Sequence, residues 1–402
     1  MKNILFYLLI FLALIIFYII YIIYIIYIKC RNIFKLKTKN IKSYETSWRI
    51  NTCPYIVTEN IKLVFEENNI KENNKTSKTN IYLPCTYDNI ENEIKNMELN
   101  TNIKNKVFII HNADQLVAKN YFWKNIVAKY GLEESLTLTP MTYLLNDDND
   151  IKRLNQDYDK NKDKNKLYIL KKNIQRQEGL KICNNLDDII KNKKDYVLAQ
   201  ELLQDPYLIN GRKINLRIYI LVVCNKTNYN VYAYNDGFMY YTKDLFRANS
   251  LDFGPNITTG YFKDRKIYEE NPLTHQDFRK YLDNNDRELT SIEQSLKNND
   301  IKLSDHIFNN IYELNKKVFS AFYGKIGNGE KLYNHDSFQL FGVDVAIDKN
   351  LNAKIMEVNK GPDLDSKDER DGEIKKGIIK NILKIIGVIE NDNNKFIKIY
   401  SV

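Results

Sequence analysis

Residues 338–359 read Phe-Gln-Leu-Phe-Gly-Val-Asp-Val-Ala-Ile-Asp-Lys-Asn-Leu-Asn-Ala-Lys-Ile-Met-Glu-Val-Asn. No other stretch constrains the fold as tightly. Two apolar runs flank Lys349-Asn350-Leu351-Asn352, the pattern of a β-hairpin with a turn-rich connection. With those four residues as the loop, Asp348 pairs with Ala353, and antiparallel counting sets Asp344 opposite Glu357. Cross-strand neighbours lie about 4.5–5.5 Å apart, and Asn359 shares a face with Glu357 because strand side chains alternate. Two carboxylates that close repel in a half-buried sheet unless a cation neutralises them. A few hard oxygen ligands suit Mg²⁺, which completes its octahedron with water and phosphate. The plainer alternative places both acids on a solvated face. The apolar residues on both parities between them argue against it.

A second stretch, Gln200 to Val223, contains Gly-Arg-Lys213-Ile-Asn215-Leu-Arg217-Ile. In a strand, Lys213, Asn215 and Arg217 point one way and Ile214, Leu216 and Ile218 the other. Two cations and an amide on one face are aimed at an anion, a polyphosphate or acyl-phosphate, with Arg able to fork two oxygens. Standing alone, the segment would read rather as a solvated outer face. A third, Tyr168-Ile-Leu-Lys171, is a strand ending in a cation, followed by a polar loop to Gly179-Leu180 that could close over phosphates. It is not a P-loop, whose G-x-x-x-x-G-K-[ST] pattern is absent.

Ile4 to Ile28 contains no charged residue. Its twenty-five positions span about 37 Å as a helix, more than the ~30 Å hydrocarbon core. No small-residue cleavage site follows, so a transmembrane anchor is expected rather than a signal peptide. Lys29, Arg31, Lys35, Lys37, Lys39 and Lys42 come directly after it. The positive-inside rule then puts the rest of the chain in the cytosol as a single-pass membrane protein. This cluster is the clearest concentration of the +9 net charge, and it reads as juxtamembrane charge rather than a nucleic-acid surface. The five cysteines form no C-x-x-C pair. They point to neither a disulfide framework nor a zinc site, and to a reducing compartment.

The remaining organisation follows from periodicity. Beyond the anchor (1–30), residues 31–100 are expected as a basic stalk and the start of an N-terminal subdomain, 101–390 as the catalytic domain and 391–402 as a tail. Val107–Ile110 is a strand candidate, and Ala118 to Tyr130 a helix stopped by Gly131. Asn146 to Lys166 is polar and expected as a loop, and residues 275–300 as an inserted surface element. Apolar stripes through Ile307–Phe322 and Ile374–Ile386 mark core-facing helices. Mixed strands and helices of this kind give an α+β fold.

In this order the segments resemble the tubulin–tyrosine ligase family, including its tubulin-ligase-like members, over roughly residues 107 to 386. Ala118-Lys119-Asn-Tyr-Phe-Trp-Lys-Asn-Ile and Pro140-Met-Thr-Tyr-Leu are also similar to N-terminal patterns of that family. The resemblance implies an ATP-grasp fold of mixed and antiparallel sheets with packed helices. It implies ATP phosphates on Lys119 and Lys171, and adenine at Gln200 and the backbone of Glu201 and Leu203. Lys213 and Asn215 would also meet nucleotide, and Mg²⁺ would sit on Asp344, Glu357 and Asn359. Arg217, with Lys213, would act in catalysis and hold the acceptor carboxylate or acyl-phosphate. The implied reaction joins an amino acid to a protein acceptor, tubulin or another, using ATP and Mg²⁺, with no part for nucleic acid. The same fold also serves small-molecule carboxylate–amine ligases and polyol-phosphate kinases, and a non-catalytic membrane scaffold is a further alternative. Asn215 stands where the family motif has Asp. The phosphate loop reads Gln177-Glu178-Gly179 where the family has a Gly first. Tyr240 stands where the family places an Arg for the incoming amino acid, with Lys243 or Arg247 as substitutes.

Overall fold

Strand order follows from which residues tolerate burial on both sides. In the computed structural model, the described residues are Tyr18, Tyr21, Ile22, Tyr24, 46–50, 57–72, 80–85, 89–99, 103–160, 166–173, 179–260, 265–284, 286–327 and 329–402. The chain divides into Met1–Glu45 and Thr46–Val402. The expected anchor, Ile4 to Ile28, lies outside the described residues except for those four, which are helical and exposed. Among the described residues no helix is long and apolar enough to cross a membrane.

The second unit holds fifteen described strands. They are β1 (Ser47–Ile50), β2 (Lys71–Glu72), β3 (Ile81–Leu83), β4 (Lys106–Val107) and β5 (Thr142–Leu144). Next come β6 (Tyr168–Lys171), β7 (Leu180–Cys183), β8 (Leu198–Glu201), β9 (Leu208–Ile209) and β10 (Arg212–Cys224). The last are β11 (Tyr229–Thr242), β12 (Thr258–Thr259), β13 (Asp336–Ile347), β14 (Ala353–Asn359) and β15 (Phe396–Ser401). The large sheet runs β12-β11-β10-β13-β4-β3-β1-β2, with β14 also on β13, β15 on β11 and β9 on β10. The small sheet runs β5-β8-β6-β7.

β10 shows how one strand serves both core and site. Ile214, Leu216, Ile218, Ile220 and Val222 enter one apolar layer, against the helix Leu303–Ser320. On the other face Tyr219 and Leu221 enter a second layer, covered by the helix Glu369–Ile385. Towards the start of the strand that same face carries Arg217, Asn215 and Lys213. Burying a Leu or Ile side chain contributes about 1.5–3 kcal/mol, so these buried residues together fix the strand firmly enough to hold cations at one end.

Within the segment expected as stalk and start of an N-terminal subdomain, the described residues form elements from Ser47: β1 pairs in parallel with β2 and β3. The helix Glu59–Glu67 packs Ile61, Val64 and Phe65 into the layer of Ile378, Ile379 and Ile382. The expected loop at 146–166 contains the helix Asp148–Lys160. Asp147 Oδ1 accepts the backbone N–H of Asn149 and Asp150 at its start. Ile151, Leu154 and Tyr158 form the stripe that docks it, enough apolar surface to override a polar composition. Residues 275–300 are not a surface insertion. Capping boxes at Thr274/Asp277 and Thr290/Glu293 open the helices His275–Asp283 and Ser291–Asn298, and Phe278 and Leu282 are fully buried. The expected tail supplies β15, antiparallel to β11, with Phe396 on Tyr234. The strand at Val107–Ile110 is only Lys106–Val107; Ile110 N–H donates instead to Gln339 Oε1. Gly131 has φ 73° and breaks the helix Lys119–Leu138, as its place in the sequence suggested. Cys183 and Cys224 are free thiols, but Cys85 is disulfide-bonded, to a partner outside the described residues.

Candidate functional site

The hairpin β13–β14 places Asp344 opposite Glu357. It does so by two offsets that cancel. At the turn Ile347, not Asp348, pairs with Ala353, because Asp348 Oδ1 instead accepts the N–H groups of Asn350 and Asn352. The register then shifts between Asp344 and Val345, which loops Met356 out and restores the acidic pair. Such a bulge re-aims neighbouring side chains. Gly342 pairs with Asn359, whose Nδ2 lies 3.5 Å from Asp344 Oδ2. The three oxygen-bearing side chains therefore share one face.

Cations face both carboxylates. Arg217, directly across β10–β13 from Asp344, donates from Nε (2.7 Å) and Nη2 (3.1 Å) to its two oxygens. Lys119, at the start of its helix, reaches Glu357 Oε1 at 2.9 Å. Gly342 permits the Arg217 fork: a Cβ there would lie 3.1 Å from Arg217 Nη1 and 3.2 Å from Pro362 Cβ. Burial, with Glu357 adding, pushes the Asp344 pKa up against the pull of Arg217. Burial also acts against the Arg217 charge, but Asp344 outweighs it and holds the guanidinium pKa above its ordinary value.

The small sheet supplies the opposite wall. Lys171, at the end of β6, donates to Gln200 Oε1 (2.7 Å), and Gln200 Nε2 donates to Thr142 Oγ1 (3.0 Å). Burial lowers Lys171 to about 8, with Glu357 opposing and Lys119 reinforcing the fall. Lys213 donates to the Leu203 carbonyl at 3.4 Å, and burial with the nearby Lys171 lowers it to about 8 as well. These are cations buried without carboxylate partners of their own. Such groups bind protons weakly until an anion arrives.

Lys119, Lys171, Gln200, Thr142 and Glu357 line a crevice of about 20 Å³ between the sheets. A cavity of about 510 Å³ lies at the connecting segment Leu202–Asp205, against the reverse face of the small sheet. The Glu201 side chain is on that reverse face and pairs with Lys166 at 2.5 Å, so only its backbone is available to the cleft. Asn215 Oδ1 is buried without a hydrogen-bond partner, an acceptor suited to a ligand N–H or O–H. Asn215 pairs directly with Tyr240 across β10–β11, so two departures from the family pattern are one neighbouring pair. Tyr240 also lies under the Arg217 guanidinium, 5.1 Å from its ring centre. Neither contact was read from the sequence, because the β10–β11 register has a bulge between Ile218 and Ile220 that spacing does not reveal. The phosphate-loop positions Gln177 and Glu178 lie outside the described residues; Gly179 has φ +66°. Lys243 and Arg247 are both exposed, and Arg247 pairs with Asp252.

Among the described residues no group of three or more His, Cys, Asp or Glu is placed to hold a metal. What the site offers is two carboxylates and an amide. That donor set fits a hard divalent ion which takes few protein oxygens and fills its sphere with water and phosphate. It does not fit zinc, which prefers nitrogen and sulfur.

The chain is 26% identical over 298 residues to a probable beta-tubulin polyglutamylase of Tetrahymena thermophila, covering 70% of this chain and 24% of that one. It is 25% identical over 256 residues to tubulin polyglutamylase TTLL7 of Xenopus tropicalis (59% and 26%). To tubulin monoglutamylase TTLL4 of Mus musculus it is 25% identical over 292 residues (68% and 23%). The chain thus spans about a quarter of the length of these curated relatives. The model of the tubulin-tyrosine ligase family matches residues 59–395, which takes in every residue of the cleft, the small sheet and all of the large sheet except β1 and β15, and the chain belongs to that family.

Proposed function

We propose that the protein is an ATP- and Mg²⁺-dependent ligase that activates a carboxylate as an acyl-phosphate and forms an amide bond, adding an amino acid to a protein acceptor. The observation that carries this reading is the convergence of Lys119, Lys171, Lys213 and Arg217 on a cleft floored by Asp344, Glu357 and Asn359. The three lysines would bind the triphosphate, Gln200 and the backbone of Glu201 and Leu203 the adenine, and Asn215 Oδ1 a nucleotide hydroxyl. Asp344, Glu357 and Asn359 would hold Mg²⁺, which when bound neutralises phosphate charge. A carboxylate oxygen of the acceptor attacks the γ-phosphorus and ADP leaves. The amine nitrogen then bonds to the carbonyl carbon as its bond to the phosphate oxygen breaks. Phosphate leaves, and the amine loses its proton. Arg217 positions the carboxylate, and the chain contributes largely by orientation and fixed charge.

The relatives named above support a tubulin or tubulin-like acceptor. The test uses the full chain with Mg-ATP, an amino-acid mixture and tubulin or cell lysate. Wild type should release ADP and add residue masses to an acceptor, and Glu357→Gln should do neither. Absence of both ADP release and a new amide in wild type would refute the reading, and phosphate on the product without an amide would select a kinase. We further infer anchoring through Ile4 to Ile28 with the catalytic body facing the cytosol, supported by the uncharged run and the six basic residues after it. Disulfides are rare and transient in that compartment. Persistence of the Cys85 bridge in alkylated cell extracts would therefore place the domain on the other side.

A further inference from the structure

A cavity of about 330 Å³ opens at the end of β10 away from the cleft. Cys224 lines it, and Arg217 stands about 23 Å back along the strand at ~3.3 Å per residue. Small-molecule sites occupy roughly 300–1,000 Å³, and the chemistry proposed above makes no use of this one. Its walls include the β10–β11 turn at 225–228, the segment 323–327 after the helix Leu303–Ser320, and Tyr333. Among the described residues that line it there is no acid, whereas the larger cavity has Asp157, Glu201 and Asp205. Its two lysines, Lys226 and Lys325, have no carboxylate partner among the described residues. Lys325 Nζ donates to a neutral oxygen, Asn125 Oδ1, at 2.8 Å. Lys226 is exposed on the turn and lies over the Tyr333 ring, 5.0 Å from its centre. Two acids bonded to lining residues are already shared. Asp336 serves Lys104, Lys106 and Asn225 (2.6, 2.6 and 3.2 Å), and Glu91 serves His111 and the Asn112 N–H (3.0 and 2.7 Å). A concave surface with cations and no acid of its own attracts an anion.

The remaining walls say what else that anion carries. Tyr323 and Tyr333 are 52% and 44% exposed, so their rings offer faces on which another ring can lie. Asn112 and Asn228 bring exposed amide oxygens to the rim, acceptors for hydroxyl groups. Gly324 and Gly327 have φ +78° and +149°, with no other group within 4 Å of where a Cβ would stand, so a ligand can come against bare backbone. We propose that this cavity binds a phosphorylated polyhydroxy ring, a sugar or inositol phosphate, with Lys226 and Lys325 on the phosphate, the ring against the tyrosines and the amides on its hydroxyls. That group is carried both by soluble sugar phosphates and by the headgroups of phosphoinositide lipids. The proposal is independent of the ligase reading.

The experiment is a calorimetric titration of the full chain in detergent, with Mg²⁺ and a non-hydrolysable ATP analogue in excess to fill the cleft. The probes are glucose phosphate, inositol bisphosphate, a short-chain phosphatidylinositol phosphate, inorganic phosphate and myo-inositol. At least one ring phosphate should bind about tenfold or more tightly than both inorganic phosphate and myo-inositol, and Lys226→Glu or Lys325→Gln should each remove about tenfold of that affinity. Both variants should keep the wild-type affinity for the ATP analogue. Tighter binding of the short-chain lipid than of the free phosphates identifies a membrane headgroup as the source, and the reverse order a soluble one; either supports the proposal. Ring phosphates binding no better than inorganic phosphate overturn it, as does binding that Lys226→Glu leaves unchanged. Lys226 is exposed on a turn, so that variant decides the point even if Lys325→Gln fails to fold.

Discussion

Lys171 tests whether the cleft is built for an anion at the expense of the free protein. The residue is 8% exposed, its ammonium is bonded to one neutral amide oxygen, and burial lowers its pKa from 10.5 to about 8. At about 1.4 kcal/mol per pKa unit, holding that charge at neutral pH costs roughly 3 kcal/mol. Lys171→Met removes the cost but strands the Gln200 acceptor, a loss of about 1–3 kcal/mol. The variant should therefore be neutral to about 2 kcal/mol more stable than wild type at pH 7. The sign of the pH dependence is fixed. Folded Lys171 releases its proton near pH 8 and the unfolded chain near 10.5, so the unfolded state binds more protons between them. Wild-type stability from this group rises with pH across that window, present above 10.5 and lost below 8. The advantage of Lys171→Met should thus shrink by roughly 3 kcal/mol between pH 7 and 10.5. Urea unfolding of both proteins at a series of pH values measures it. A variant clearly less stable at pH 7, or a difference independent of pH, would refute the idea that this lysine waits uncompensated for a ligand.

Other outcomes follow from the same geometry. Triphosphate binding should raise the pKa of Lys171 and Lys213, so ATP binding at pH 8.5 should take up protons, seen as a buffer-dependent heat in titration calorimetry. ATP affinity should fall as pH rises through 8. Glu357→Gln should weaken Mg²⁺ binding at least tenfold while leaving the circular dichroism spectrum unchanged, since its carboxylate is tied only to Lys119 among the bonds described for it. Gly342→Ala should displace the Arg217 fork, destabilising by about 1–3 kcal/mol and lowering acceptor turnover more than nucleotide affinity; equal losses in both would count against that placement.

The legible parts of the molecule were those where one local pattern has one solution. The β13–β14 hairpin alternates strongly enough that Asp344 and Glu357 had to face each other, although the turn expected to set their register was displaced and a bulge at Met356 made up the difference. The cationic face of β10 was equally plain, because Ile214, Leu216 and Ile218 leave Lys213, Asn215 and Arg217 one direction. What stayed hidden depended on partners distant in sequence. Nothing around residue 46 announces that β1 will lie in parallel with β3. Nothing in Asn146 to Lys166 except three spaced apolar residues marks its helix. Tyr240 under Arg217 is visible only once both strands are laid side by side.

The space between Lys171 and Glu357 has room for about one water. That crevice is far smaller than a nucleotide. On the ligase reading, a nucleotide bound between the sheets requires the four-stranded sheet to stand further from β14 than it does here, with residues 202–205 as the connection that would have to give, and such a step would set an upper bound on turnover. For crystallography this means that ATP soaked into crystals grown without it should stay in the solvent channels, whereas crystals grown with it should trap the open-then-shut conformation around the bound molecule.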